Sequence, residues 1–192
     1  YNIVDSIFVS NYSEAALTAV SLAFPIQNII VSLGTGVGVG VNALLSRLLG
    51  EKKQEEVNKT AANGLLLGFI VYLVLLIFGL SGIKWFYRIQ TNDASISSMG
   101  CSYLAIVCIF SFGQIFQLIF EKLLQSTGRT SYTMITQITG AVINIILDPI
   151  LIFGYFGLPA MGTAGAAIAT VIGQIIAMLL GIIFNLKYNK EI

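Results

Sequence analysis

The sequence contains no histidine, and its 192 residues include only two cysteines. Without histidine, a His-based proton relay, a histidine metal ligand and a Ser-His-Asp triad are all excluded. Cys101 and Cys108 lie in a segment whose pattern predicts a single helix, in which about 10 Å of helical rise would separate them. That separation is beyond disulfide reach, so we expect both cysteines to act only in packing.

Charged residues are also scarce. They make up 10% of the chain, against about 25% in soluble domains, while 56% of residues are hydrophobic and the mean hydropathy is +0.88. So few ionisable side chains could not cover the surface of a water-soluble fold of this size. The composition predicts an integral membrane protein and excludes a soluble enzyme, a disordered chain and a secreted disulfide scaffold. The net charge of +1 gives no electrostatic basis for binding nucleic acid.

Five segments are long and apolar enough to cross a bilayer as helices, which takes about 20 residues each. They cover residues 15–45, 60–83, 95–120, 131–154 and 163–186. Residues 1–10 reach across only about half a bilayer, so we expect them to be the second half of a helix whose beginning is missing from this chain. The fold expected is an all-α, six-helix transmembrane bundle with a truncated first helix.

Glycine recurs at positions 34, 36, 38 and 40 of the first full span. The spacing does not fit a phosphate-binding loop. Gly34/Gly38 and Gly36/Gly40 are instead small-xxx-small pairs, which let helix backbones approach closely, so we expect a packing role. Together with Pro25, these glycines could bend the span.

The connections between spans carry an unequal charge. Eight basic residues fall on one predicted side: Arg47, Lys52, Lys53, Lys59, Lys122, Arg129, Lys187 and Lys190. The other side has only Lys84 and Arg88, in the predicted loop before residue 95. By the positive-inside rule the basic side is cytoplasmic, which places the C-terminal end of the chain in the cytoplasm of a multi-pass plasma-membrane protein.

Two acidic residues interrupt the apolar segments. Asp5 and Asp148 each precede the outer end of their predicted helix by five or six residues, which places both roughly 8–9 Å below that end. An Asp at the centre of a membrane helix costs about 2.5–3.5 kcal/mol on insertion scales, so such residues usually face a cavity or a partner. Matching depth on two different helices indicates a shared site.

Other polar residues recur at helical spacing and should face the same interior space. Tyr1 lies four residues before Asp5. The 131–154 span carries Thr133, Gln137, Gly140, Asn144 and Asp148; the last span carries Thr170 and Gln174; the third carries Gln114, Gln117 and Glu121. For Glu121 the alternative is that it reaches the aqueous phase or pairs with Lys122 or Arg129.

Pro149 directly follows Asp148. Proline has no N–H and clashes with the carbonyl four residues back, here that of Ile145. A freed carbonyl beside a carboxylate would suit a cation or a proton, as at the broken helices of transporters. The alternative is a plain kink, with Asp148 held by Asn144.

Five segments together resemble one known family, multidrug and toxic compound extrusion (MATE). The segment 42–53, NALLSRLLGEKK, looks like the signature that closes its second helix, and 1–9, YNIVDSIFV, resembles its first helix. Segment 123–129, LLQSTGR, resembles the connection between its fourth and fifth helices. Segments 144–154, NIILDPILIFG, and 165–174, GAAIATVIGQ, resemble its fifth and sixth helices.

This resemblance implies a transporter of twelve helices in two six-helix lobes, of which this chain would be the N-terminal lobe, with the second lobe absent. It implies export of organic cations and amphipathic drugs by antiport with protons or sodium ions. Carried over residue by residue, the family's coupling residues are Asp5, Tyr1, Asn144, Asp148 and Thr170. No cofactor is implied, and a sodium ion at Asp5 and Asp148 would be the only metal.

The hypothesis is that Asp5 and Asp148 exchange a coupling ion for substrate, while Gln114, Gln117, Gln137, Gln174 and Glu121 line the cavity. One rival is a flippase for a lipid-linked precursor, which would need a basic cavity that no mid-span Lys or Arg provides. Another is an intramembrane aspartyl protease. Such enzymes need Gly-x-Gly-Asp, whereas Ile-Ile-Leu precedes Asp148.

Overall fold

A computed structural model describes residues 2–192, with side chains from residue 4 onward. Its helices are α1 Asn2–Tyr12, α2 Glu14–Gly50, α3 Gln54–Ser81, α4 Ile83–Gln90, α5 Ala94–Ile109, α6 Phe112–Ser126, α7 Thr130–Phe153 and α8 Thr163–Tyr188, with a 3-10 turn at Tyr155–Gly157. No strand occurs among these residues. The described chain is therefore all-α, as the sequence predicted.

Four helices, α2, α3, α7 and α8, are each long and apolar enough to span a membrane. Helices α5 and α6 make a fifth span only when taken together, because they meet at a bend of 42°. Helix α2 has 37 residues and runs without interruption through Pro25, so at about 1.5 Å per residue it extends well beyond a hydrocarbon core of about 30 Å.

The 95–120 segment, expected to be one straight span, is broken at Phe110 and Ser111. The break leaves the carbonyl of Ile109 without its helical partner, and the Tyr72 hydroxyl of α3 donates a hydrogen bond to it over 3.2 Å. Directly after the break, Gly113 lies against Ile175 of α8, where a Cβ would come within 2.9 Å of the Ile175 side chain. The bend thus lets α6 pack closely on α8.

Local sequence explains where several helices start and stop. Ser13 ends α1 and caps α2 by accepting a hydrogen bond from the Ala16 amide over 3.0 Å. The Asp93 carboxylate accepts from the first amides of α5, and Gly154, with φ +78°, ends α7 in the left-handed conformation that glycine tolerates best. The segment holding Lys84 and Arg88, expected as a loop, is the short helix α4.

Contacts between the connections define the two ends of the bundle. At the end that we call the basic end, the Glu191 carbonyl accepts a hydrogen bond from Gln54 over 2.7 Å, and the Glu191 side chain lies 3.8 Å from Arg129. These contacts join the C-terminal tail to the start of α3 and to the connection between α6 and α7. All eight basic residues of the predicted cytoplasmic side belong to this end. At the opposite end, a Cβ on Gly162 would come within 2.9 Å of the Tyr12 ring.

Helix α6 lies at the centre of the lobe, where it packs against α2, α3, α7 and α8. Of the four glycines in the α2 run, Gly34 and Gly38 face α6, and a Cβ on either would meet Leu118 or Lys122 within 3.0 Å. Gly36 and Gly40 have nothing within 4 Å. The packing role predicted for the run therefore holds for the first pair alone within this chain.

Candidate functional site

Two carboxylates, an amide and a hydroxyl from three helices meet inside the half of the lobe away from the basic end. Asp5 lies on α1, Asn144 and Asp148 lie one turn apart on α7, and Thr170 lies on α8. None of the four side chains is more than 2% exposed. Burying two carboxylates is costly in a membrane, so their meeting requires specific compensation.

Hydrogen bonds connect all four side chains. The Thr170 hydroxyl donates to Asp5 Oδ2 over 2.7 Å. The Asn144 amide donates to Asp148 Oδ1 over 3.2 Å and to Thr170 Oγ1 over 3.3 Å. The Asp5 and Asp148 carboxyl groups also lie within hydrogen-bonding reach of each other. The two acids that the sequence predicted to be at equal depth are thus in one network.

Three oxygens of this network have no hydrogen-bond partner, namely Asp5 Oδ1, Asn144 Oδ1 and Asp148 Oδ2. All three are acceptors when the carboxyls are ionised, and all are buried. A proton shared between the two carboxyls, or a small cation with oxygen ligands, would satisfy them. The chemistry of these oxygens is thus that of acceptors for a proton or a small cation.

Pro149 lies inside α7, which continues to Phe153 without a break. Because proline has no N–H, it gives the Ile145 carbonyl, four residues earlier, no amide partner. Tyr1, predicted to be a fifth member of the site, lies outside the described residues.

A close approach of α7 and α8 brings their polar side chains together. A Cβ on Gly173 would lie only 2.6 Å from the Gly140 carbonyl oxygen and 3.5 Å from Asn144 Cβ. A Cβ on Gly165 would likewise meet the Leu151 backbone within 2.6 Å. These glycines allow the backbones to touch, and Asn144 then reaches Thr170.

The remaining polar residues form two further groups. Gln174 donates to Gln114 over 2.8 Å, which joins α8 to α6. Glu121 accepts hydrogen bonds from Gln117, Thr136 and Gln137. The five residues expected to line a cavity therefore divide between a pair and a cluster.

The ion pairs considered for Glu121 are wrong. Lys122 directs its ammonium to Gln125 over 2.8 Å, and Arg129 lies beside Glu191. The Glu121 side chain does not reach the aqueous phase either, because the residue is only 2% exposed. The three neutral donors from its own helix and from α7 replace the salt bridge.

One buried polar pair was not predicted from the sequence. Gln27 of α2 donates a hydrogen bond to the Tyr103 hydroxyl of α5 over 2.6 Å. Tyr103 is also close enough to Asp5 and Asp148 to interact electrostatically with their carboxyl groups. In the sequence, Gln27 stands out only as a lone polar residue within a long apolar span. Nothing in the sequence marks Tyr103, because a tyrosine in a membrane helix does not by itself indicate a functional site. Tyr103 and Gln27 thus extend the polar interior toward α2 and α5.

Comparisons with known proteins point in one direction. The family model described as MatE matches residues 1–150. The chain is 32% identical over 191 residues to a protein of Shewanella oneidensis named "FAD transporter", covering 98% of this chain and 42% of that protein. It is 31% identical over 197 residues to "Multidrug export protein MepA" of Staphylococcus aureus, covering 100% of this chain and 42% of that one.

Solved structures agree with the sequence comparisons. The crystal structure titled "MATE in the bent conformation" matches 99% of this chain with a TM-score of 0.91 at 26% identity, and the match covers 42% of that chain. An inward-facing multidrug resistance MATE transporter matches 96% of this chain with a TM-score of 0.90 at 27% identity, and 41% of that chain. The chain spans about two fifths of the length of these proteins.

Proposed function

Because this chain belongs to the MatE family, we propose that it forms one lobe of a secondary active transporter in the plasma membrane. The complete protein exports organic cations and amphipathic drugs in exchange for protons or sodium ions, and Asp5 and Asp148 bind the coupling ion. The basic end faces the cytoplasm, in keeping with its eight basic residues against two at the other end. The lobe works in the bilayer beside a second lobe of the same protein.

The observation that carries this proposal is the set of three unpartnered oxygens between Asp5, Asn144 and Asp148. The other unpartnered buried atoms of the described chain, on Gln27, Ser111, Arg129 and Asn189, occur singly, whereas three here belong to one hydrogen-bonded group. Here the unsatisfied atoms are all acceptors and belong to side chains on two helices, α1 and α7, and Thr170 of α8 is bonded to the same group. Such a group favours a bound cation or proton.

Binding and release of that ion would change how the three helices are held. With both carboxyls ionised, their repulsion is relieved by a sodium ion or by a cationic substrate in the cavity. Protonation removes one charge and lets one carboxyl donate a hydrogen bond to the other. The freed carbonyl of Ile145 below Pro149 gives α7 a point at which it can bend in response.

The energetics are sufficient for export. One charge moving through about 100 mV supplies roughly 2.3 kcal/mol, which supports about a fifty-fold gradient of a neutral solute. One coupling ion is therefore enough for a neutral substrate, whereas one-for-one exchange with a monovalent organic cation moves no net charge and is driven by the concentration gradient of the coupling ion. The residues that serve this exchange are Asp5, Asp148, Asn144 and Thr170. The polar interior that substrates and ions encounter also includes Gln114, Gln117, Gln137, Gln174 and Glu121.

The rival functions differ in the charges they need. The relatives and solved structures are named as transporters, so the chain is not an enzyme, and the aspartyl protease alternative is wrong. A flippase for a phosphate-bearing lipid precursor needs basic residues in the cavity. Lys and Arg in this chain lie at or near the two ends of the bundle, which favours cationic cargo.

The test is efflux by the complete protein in proteoliposomes, with a fluorescent organic cation inside and proton and sodium gradients imposed separately. We expect one of the two gradients to drive cation export and its collapse to abolish it. FAD serves as a second cargo, because one relative is named for it. Export of FAD but not of the cation would mean that the proposed substrate class is wrong. If neither compound shows gradient-driven flux, the proposal is contradicted.

A further inference from the structure

Glu121 is the most buried acidic side chain outside the Asp5–Asp148 site. It lies on α6, five residues before the basic end of that helix, or roughly 8 Å along the axis. Its Oε1 accepts from the Gln117 amide and the Thr136 hydroxyl, each over 3.0 Å, and its Oε2 accepts from the Gln137 amide over 2.8 Å. The carboxylate therefore ties α6 to α7 through two residues of α7.

No basic residue in the described part of the chain lies within 4 Å of this carboxylate. On α6 itself, Lys122 bonds Gln125, and Arg129 of the following connection pairs with Glu191. The groups that α7 directs at Glu121 are Thr136 and Gln137, both neutral. On α8 the ionisable groups are Lys187 and Tyr188, which lie against each other. At the basic ends of α2 and α3 and in the turn between them, the charged side chains that form ion pairs are Arg47, Glu51, Lys53, Glu55, Glu56 and Lys59.

A buried carboxylate without a counter-ion is stable only if it is well hydrogen-bonded or can take up a proton. The geometry here suits both forms. Thr136 has one hydroxyl proton but two acceptors in reach, the Thr133 carbonyl at 2.8 Å and Glu121 Oε1 at 3.0 Å. With Glu121 ionised, Thr136 donates to it; with Glu121 protonated, Thr136 turns to the Thr133 carbonyl and accepts from the carboxyl.

This chemistry differs from that of the Asp5–Asp148 site. There three acceptor oxygens are unpartnered, which suits a cation, whereas both Glu121 oxygens already accept hydrogen bonds. Along α7, the eight residues from Thr136 to Asn144 put about 12 Å between the two groups. Gln137 is exposed on the surface of this lobe, so Glu121 lies directly beneath an exposed polar side chain that donates to it.

We propose that Glu121 is a second proton-binding site, which exchanges protons with the basic end and sets how firmly α6 and α7 are tied there. The proton comes from water at that end and forms an O–H bond on Oε1, which removes the negative charge. The hydrogen bonds from Gln117 and Gln137 then lose their charge assistance, and the α6–α7 contact weakens. The direction of the effect on transport rests on the proposed function, but the proton site itself does not.

The direct test uses the wild-type complete protein in detergent, without substrate. A hydrophobic carbodiimide reacts with protonated carboxyl groups, and mass spectrometry locates the product. We expect Glu121 to be labelled increasingly as the pH falls, by up to about tenfold per pH unit as for a single proton. Sodium ions should leave that labelling unchanged. Labelling that is absent at every pH, or that sodium suppresses, would overturn the assignment.

The functional test compares Glu121→Gln with Glu55→Gln in proteoliposomes of known orientation. Glu55 is an exposed glutamate at the same end and serves as the control for loss of a carboxylate. When the pH at the basic end is stepped, we expect the export rates of wild type and Glu55→Gln to change. Over the pH range in which the wild-type rate changes about tenfold, the rate of Glu121→Gln should change by less than about twofold. A Glu121→Gln profile identical to wild type would contradict the proposal.

Two results separate this proposal from the coupling role of Asp5 and Asp148. If Asp5→Asn transports normally while Glu121 is labelled with the expected pH dependence, the coupling proposal fails and the proton site stands. If Glu121→Gln does not fold, Thr136→Val replaces it. That variant keeps the carboxyl but removes the hydroxyl that donates a charge-assisted hydrogen bond to its ionised form, so labelling of Glu121 should extend to higher pH. Labelling with the same pH dependence as wild type would overturn the switch.

Discussion

Thr170 donates a hydrogen bond from its hydroxyl to Asp5 Oδ2 over 2.7 Å, and so joins the first described helix of the lobe to the last. The same hydroxyl oxygen accepts from Asn144, which also holds Asp148. Thr170 therefore connects α1, α7 and α8 through one atom. Any ion that changes the charge of Asp5 changes the strongest partner of this hydroxyl.

Replacing Thr170 with valine should lower gradient-driven export at least about tenfold, because a buried hydrogen bond to a charged group contributes roughly 1.5–3 kcal/mol. Thr170→Ser keeps the hydroxyl and should stay within about twofold of wild type. Initial rates in proteoliposomes measure both. Equal rates for the valine and serine variants would show that the hydroxyl takes no part in coupling.

Asp5→Asn should reduce gradient-driven export to background while membrane insertion and folding persist, because an amide keeps the shape but cannot bind a proton or balance a cation. Asp93→Asn is the matched control. Asp93 caps α5 at the end of the bundle opposite the basic end, and asparagine caps helices as well as aspartate does. Export by Asp5→Asn at the rate of the control would refute the coupling role.

Gly173→Ala should destabilise the lobe by about 1–3 kcal/mol, because the added methyl would overlap the Gly140 carbonyl oxygen where α7 and α8 cross. Gly36→Ala is the control, since nothing lies within 4 Å of that position and alanine favours the helix. The midpoint temperature of thermal unfolding in detergent should fall for Gly173→Ala and should stay the same or rise for Gly36→Ala. If both variants melt alike, the close crossing does not contribute to stability.

Orientation is testable with single cysteines in a background lacking Cys101 and Cys108. Asn92→Cys lies in the connection before α5, and Lys52→Cys lies between α2 and α3. A membrane-impermeant maleimide added to intact cells should label Asn92→Cys, and Lys52→Cys only after permeabilisation. The reverse pattern would mean that the basic end faces outward.

The turn after α2 should respond to acid. The hydrogen bond from Lys53, and next that from Arg47, lower the pKa of Glu51 from 4.5 to about 2. Because the pKa is lower in the folded protein, this stabilisation is fully present above pH 4.5 and is lost as the pH falls through about 2. Amide exchange of the turn should therefore quicken in that range for wild type. Glu51→Gln should show no such acid step, and an identical step in the variant would assign it to another group.

Part of the candidate site follows from sequence spacing alone. Asp5 and Asp148 were predicted to share a depth because each precedes the same end of its helix by a similar number of residues, and the structure brings their carboxyls within reach of each other. Thr170 was the least constrained of the set, because its depth depends on the loop before α8. Their role in ion coupling stays a prediction.

Other features could not be predicted from the sequence. The break between α5 and α6 lies inside a segment of uniform hydropathy, and the partner that stabilises it, Tyr72, is on another helix. Helix α4 was taken for a loop although its eight residues are strongly amphipathic, because it is too short to cross a bilayer. Glu121 was expected to line the cavity or, as the alternative, to pair with a basic neighbour, but two of the three side chains that donate to it come from a facing helix fifteen or sixteen positions away.

The amino-acid sequence by itself determined that this is a membrane protein, roughly where its spans begin and end, and how deep each polar residue lies. The bilayer imposes those properties on each segment separately, through the cost of burying charge and the fixed rise of a helix. The tertiary structure alone decided which polar stripes face one another. That choice depends on side-chain fit between helices, as where Gly173 admits the Gly140 backbone and lets Asn144 reach Thr170.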